Sequence, residues 1–160
     1  MSAILAHAAP AESPMEALVF RLGDERFALA LTAVDEVVEC AWPQAVPSAA
    51  APMLGVVALG GALLAAYSPH EVLGISRAEV VGVPAIAILL RRGDHRIALL
   101  VDELLDVMVF HRSALRPVSL DGAEARLVTG VISRDGQIVA LLDAESLVGA
   151  CLDRHLPEAS

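Results

Sequence analysis

Short aliphatic runs alternate with turn signals along this chain, and one composite pattern recurs. Its clearest copy is residues 91–107, RRGDHRIALLVDELLDV: a Gly93-Asp94 turn, an apolar run over 97–101, and a segment opening with Asp102-Glu103. A Gly-Asp pair between hydrophobic stretches marks a hairpin, because glycine takes the positive φ that a tight turn needs. The aliphatic run behind it reads as a buried strand. Residues 21–39, RLGDERFALALTAVDEVVE, repeat the pattern, with Gly23-Asp24 for Gly93-Asp94 and Asp35-Glu36 for Asp102-Glu103, three residues further out. A shorter copy turns at Asp135-Gly136 into residues 138–142, and Gly60-Gly61 before residues 62–67 is a weaker fourth. Recurring hairpins predict two related small β-units rather than a helical array.

The remaining elements follow from local signals. Strands are expected at 17–22 and 26–31, with Thr32 capping a short helical turn through its hydroxyl. Residues 34–40 read as extended and half exposed, and 42–52 as a Pro- and Ala-rich connection, since each proline removes a ladder donor. Strands at 53–59 and 62–67 meet at Gly60-Gly61. Ser68-Pro69-His70-Glu71 is a capping-box signal for a short helix that Gly74 closes in a left-handed cap. A linker over 75–80 leads to a second unit with strands at 83–90 and 97–109. After a polar loop at 113–126 come strands at 127–133 and 138–142. Asp143 then caps a final helix, 144–152, whose Leu147, Val148 and Cys151 face the β-structure.

Composition narrows the function classes. Of 160 residues 56% are hydrophobic but only 3% aromatic, so the core is aliphatic. The net charge is −9 and all eleven basic residues are arginine, with no basic run, which argues against nucleic acid and anionic membrane surfaces as partners. Cys40 and Cys151 are too few for a disulfide framework or a zinc site and read as thiols in a reducing cytosol. The first 14 residues carry no positive charge before their apolar stretch, so they make a poor signal peptide and read as a tail. Residues 41–68 are 28 positions without a charge, yet three prolines and three glycines interrupt them, so buried strands are expected there and not a membrane span.

Catalytic patterns are missing. His7, His70, His95, His111 and His155 stand at no metal-ligand spacing, and exposed positions are expected for His70 and His95. There is no G-x-S-x-G elbow, no phosphate-binding G-x-x-x-x-G-K-[ST] loop and no lysine. The pairs Asp35-Glu36 and Asp102-Glu103 lie on expected strands, where neighbours point to opposite faces, so neither pair is expected to converge on one substrate. No cofactor or metal is expected.

In this order, FRLGDERFALALTAVDEVVE, the Pro-punctuated linker, Gly55-Val56-Val57 leading to Gly61, the capped helix ending Val72-Leu73-Gly74, RRGDHRIALLVDELLDV and TGVISRDGQIVALLDAESLV resemble the CheW family over residues 17–152. These are coupling proteins of bacterial chemosensory arrays. The resemblance implies a mainly β fold of two intertwined five-stranded SH3-like barrels, with short helices and a C-terminal helix. It divides the chain into a tail at 1–16, one domain at 17–152 and a tail at 153–160. Within the domain the first barrel spans about 17–78, the second about 79–143, and the helix 144–152. It also implies a non-catalytic, cytoplasmic adaptor that joins methyl-accepting chemoreceptors to a CheA-type histidine kinase.

The family usually reads Gly-Val-x-Asn-Leu-Arg-Gly where this chain has Gly55-Val56-Val57-Ala58-Leu59-Gly60-Gly61. The arginine associated with receptor contact is thus Gly60, which offers neither the charge nor the five donors of a guanidinium. The expected receptor surface is Val34, Glu36, Leu54, Gly55, Val57 and Gly60, an apolar groove with an acidic edge suited to a helix or hairpin tip, with ordinary barrel core and a tight turn as the alternative reading of these residues. Val101, Asp102 and Leu104 are the expected kinase contacts, on strand edges of the second unit. Two rivals stay open. One is a regulator that kept the fold, lost receptor coupling and serves a pilus, biofilm or second-messenger pathway. The other is a small-molecule-binding barrel or an enzyme, with a pocket at the inter-barrel cleft lined by His70, His95 or Arg91-Arg92. Self-association is also left open.

Overall fold

A computed structural model describes residues 13–76, 84–118 and 126–155. Most of the expected linker, the middle of the polar loop and most of both tails lie outside these residues. Among the described residues ten strands and two α-helices follow one another: β1 (Met15–Leu22), β2 (Glu25–Ala30), β3 (Val34–Cys40), β4 (Met53–Leu59), β5 (Ala62–Tyr67), α1 (Pro69–Leu73), β6 (Ala85–Arg92), β7 (His95–Val101), β8 (Glu103–Phe110), β9 (Val128–Arg134), β10 (Gln137–Leu142) and α2 (Ala144–His155). The expected tails are shorter than their boundaries suggested. Met15 and Glu16 pair with Phe110 and Val109 of β8, a partner distant in sequence, and α2 continues to His155.

The strands form two five-stranded sheets, ordered β8-β1-β2-β10-β9 and β3-β6-β7-β5-β4. Each matches the other position for position, so the chain is a twofold repeat: β1–β5 and α1, then β6–β10 and α2. The repeats exchange strands. Hairpin β1–β2 is completed by β8, β9 and β10, and hairpin β6–β7 by β3, β4 and β5. The expected division into barrels at about 17–78 and 79–143 is therefore corrected: neither sheet is a continuous stretch of chain. The cause lies after each hairpin, where β3 and β8 cross over to pair with the first strand of the other repeat.

This exchange explains why the hairpin strands are aliphatic on both faces. Alternate side chains of β1, β2, β6 and β7 serve different cores. Phe20, Leu22, Leu29, Ile88, Leu90 and Leu99 meet in one cluster between the sheets, together with Leu147, Val148 and Cys151 of α2. Ala17, Val19 and Ala28 face inside the first sheet, against Met108 and Phe110. Ala85, Ala87, Leu89 and Ala98 do so in the second, against Val57 and Leu64. Small side chains point inward because a curled five-stranded sheet encloses little volume. The expected apolar face of α2 is thus confirmed, and so is the strand reading of residues 41–68.

Each exchanged strand is followed by a segment that seals the outer edge of the sheet. Gln44 exchanges 2.8 and 2.9 Å backbone hydrogen bonds with Val56 of β4, and Arg116 exchanges two of 2.8 Å with Val131 of β9. Gly55 and Gly130, each third in its strand, sit under these crossings. A Cβ on Gly55 would overlap the Gln44 carbonyl, and one on Gly130 would lie 2.8 Å from the Arg116 oxygen. Two local expectations fail. The turn at Leu31–Ala33 has no side-chain cap, so Thr32 lies inside it and does not cap it. The expected continuous strand 97–109 is broken at Asp102, which bends the chain between β7 and β8.

Candidate interaction surfaces

The repeats finish their ends differently. At the α1 end a buried polar chain joins three elements. Ser68 Oγ lies 2.9 Å from His70 Nδ1, and His70 Nε2 lies 3.0 Å from Asp102 Oδ1. The Gly23 N–H donates to Asp102 Oδ2 at 2.6 Å. An ionised carboxylate only accepts, so His70 donates from Nε2 and Nδ1 can accept a hydrogen bond from the Ser68 hydroxyl. Arg21 extends the chain outward, donating to the Gly23 carbonyl at 2.6 Å and pairing with Glu103 at 2.9 Å.

His70 is only 2% exposed, so the solvent position expected for it is wrong. The capping box also takes another form: Ser68 makes no capping bond, because its hydroxyl is used on His70, while Gly74 does close α1 at φ 72°. With Ser68 and His70 buried and Asp102 partly so, this chain ties α1 to the β1–β2 turn and the β7–β8 bend. Burial also raises the Tyr67 phenol above its usual range, helped by the nearby Cys151, and raises the Cys40 thiol.

At the other end Asp35 and Glu36 do converge, contrary to expectation. A register shift between Val34 and Glu36 places an extra residue in β3, and such a bulge turns neighbouring side chains to the same side. Arg96 therefore reaches Asp35 at 2.9 Å and Glu36 at 3.2 Å, and Arg91 also approaches Asp35. The other pair behaves as expected, with Asp102 turned inward and Glu103 outward.

The expected receptor residues do not form one open patch. Glu36 is exposed on β3 and Gly60 at the β4–β5 tip, but Val57 is buried inside the second sheet and Gly55 is buried under Gln44. Leu54 packs half-buried against that inner cluster, and Val34 against the central one. Among the kinase residues, Val101 is buried in the central core and Asp102 is engaged with His70 and Gly23. Leu104 is half-buried against the core. Val101 sits in β7, an interior strand of its sheet, whereas Leu104 lies on the edge strand β8 and keeps part of its side chain exposed.

Larger exposed groups were missed. Leu63 is 73% exposed and Ile138 58%, each second in its strand at a hairpin tip, so the two repeats present the same aliphatic knob. Val107 and Val109 stand out from the edge strand β8, the latter 63% exposed. Repeat alignment pairs Leu63 with Ile138 in the sequence, but an unbroken apolar run does not reveal which member faces water.

Aliphatic knobs on two tips and on an edge strand suit a β-built protein that works by contact with other proteins. Among the described residues no His, Cys, Asp or Glu cluster could hold a metal, and no helix is long and apolar enough to cross a membrane. A family model described as "CheW-like domain" matches residues 16–151. A chemotaxis protein CheW of Rhizobium meliloti (strain 1021) is 29% identical over 136 residues, covering 82% of this chain and 86% of that protein. A probable chemotaxis protein CheW of Rhizobium etli is 28% identical over 135 residues, with the same coverage. The crystal structure of scaffolding protein TtCheW from Thermoanaerobacter tengcongensis shares the fold, with a TM-score of 0.72 at 19% identity over 82% of this chain and 90% of that one. The chain belongs to the CheW-like family, the scaffold and coupling proteins of chemotaxis.

Proposed function

We propose that this protein is a cytoplasmic adaptor that links methyl-accepting chemoreceptors to a CheA-type histidine kinase and makes or breaks no bond. The observation that carries this reading is the CheW-like match across nearly the whole domain, on a fold of two five-stranded sheets. Receptor contact is assigned to the exposed part of the expected surface, Glu36 and Gly60, extended by Leu63. Kinase contact is assigned to the β8 edge around Leu104, Val107 and Val109, where an unpaired strand edge and aliphatic side chains coincide.

A second reading has one specific observation behind it. At the β4–β5 tip, Ala58 and Gly60 replace the asparagine and arginine usual in the family, leaving an exposed tip without charge. This favours a CheW-fold regulator that has lost receptor coupling and serves another partner. Calorimetric titration separates the two, using the kinase regulatory domain and a receptor hairpin-tip fragment from the same organism. Heat from both supports the coupler, and heat from the kinase domain alone supports the specialised regulator. Silence from both overturns the coupler and leaves only the fold.

A further inference from the structure

We propose that the open end of the cleft between the two sheets binds a carboxylate carried on a short aliphatic group. A cavity of about 790 Å³ lies there, between the β6–β7 turn, β3 and α2. Leu90, Leu142 and Val148 give it an apolar lining, and Arg91, Arg92 and Arg112 stand around it. Three of the eleven arginines of an acidic chain therefore border one cavity. Among the described residues neither Arg92 nor Arg112 has an ion-pair partner. The Arg92 guanidinium reaches over α2, where a Cβ on Gly149 would lie 3.8 Å from it.

An exposed arginine is unremarkable by itself. What assigns a ligand is the repeat, because the matching place at the α1 end is filled by the chain. There the Asp102 carboxylate takes the Gly23 N–H, and the Ile75 side chain covers the turn, 3.0 Å from where a Gly23 Cβ would be. At Gly93, which has the same left-handed backbone, nothing among the described residues lies within 4 Å of that point. Asp35, the counterpart of Asp102, is drawn away by Arg91 and Arg96. Among the described residues, the Gly93 turn thus has neither an alkyl group over it nor a counterpart of the Asp102 carboxylate on its N–H.

The acids lining the cavity set the ligand's charge. Asp35 is paired and Asp143 accepts the Ser146 hydroxyl at 2.7 Å, but Glu145 adds a negative charge in the position His70 holds at the other end. A planar monoanion that fits the guanidinium fork is favoured over a phosphate dianion. A free small acid and an acidic side chain of a protein segment share this chemistry.

The test is amide NMR titration of the full chain with 4-methylpentanoate, with the blocked dipeptide acetyl-Ile-Asp-amide, and with inorganic phosphate as a charge control. Saturable shifts centred on Arg92, Gly93 and Gly149 are expected, with Kd on the order of 1 mM. Removing both guanidinium groups (Arg92→Gln with Arg112→Gln) should weaken binding at least ~10-fold, as loss of charge-assisted hydrogen bonds implies, with amide shifts elsewhere unchanged. Glu145→Gln should tighten it. A response to the free acid points to a small-molecule source, and a response to the dipeptide alone points to a protein segment. Failure of both carboxylates to saturate, equal shifts with phosphate, or an unaffected double variant overturns the proposal. Neither receptor nor kinase is present, so the result is independent of the adaptor reading.

Discussion

The α1 end and the α2 end of the inter-sheet cleft are built from the same module, yet one is closed and the other open. At the α1 end Tyr67, Ser68 and His70 stand where the α2 end has Leu142, Asp143 and Glu145. A histidine can complete a buried chain to Asp102, whereas a glutamate facing the equivalent Asp35 would place like charges together. Asp35 turns instead to Arg91 and Arg96 on the surface. The comparison teaches that a duplicated scaffold can use one copy of a site for its own cohesion and leave the other free for a ligand. The aliphatic knobs, by contrast, occur in both repeats, at Leu63 and Ile138.

The largest expected effect tests what the repeats share. Gly55→Ala should destabilise by about 3 kcal/mol or more, because a side chain there is strained at φ 145° and meets the Gln44 backbone. Gly130→Ala, at an ordinary φ, should cost less. Urea unfolding of both variants measures the gap, and equal costs would show that the two edge seals are equivalent.

Next come the two ends themselves. Asp102→Ala leaves the Gly23 N–H and the buried His70 without their acceptor, at a cost of about 2–3 kcal/mol. Asp35→Ala breaks partly exposed ion pairs and should cost below about 1 kcal/mol. If the two midpoints moved together, the division into a structural end and an open end would be wrong. A finer pair is Gly23→Ala against Gly93→Ala. Both turns have φ near 60°, so the backbone strain cancels and the excess at Gly23, about 1 kcal/mol, reports the Ile75 contact.

The smallest stability effect belongs to the knobs. Leu63→Glu and Ile138→Glu should each change unfolding free energy by less than about 0.5 kcal/mol, as for other exposed positions. Leu63→Glu should nevertheless abolish calorimetric binding of the receptor fragment in the proposed coupler. Unchanged binding in that variant would remove the β4–β5 tip from the receptor surface.

Much of this was legible in the sequence because it depends on neighbours. The Gly-Asp turns, the Gly-Gly turn, the Gly74 cap and the apolar face of α2 are local in origin, and their repetition exposed the internal duplication. The order of these motifs also pointed to the family. What tertiary structure alone decided depends on long-range pairing. Strand exchange assigned β3 to the second repeat's hairpin and β8 to the first's. A one-residue bulge turned Asp35 and Glu36 to a common arginine, and His70 was buried by meeting an acid 32 residues away. An unbroken aliphatic run carries no mark of which side chain faces water, so Val57 and Val101 were expected at a surface and lie in a core, while Leu63 does the reverse. Local sequence dictates where the chain turns and where it extends; which face of a strand is buried, and by what, is settled only when distant strands pack.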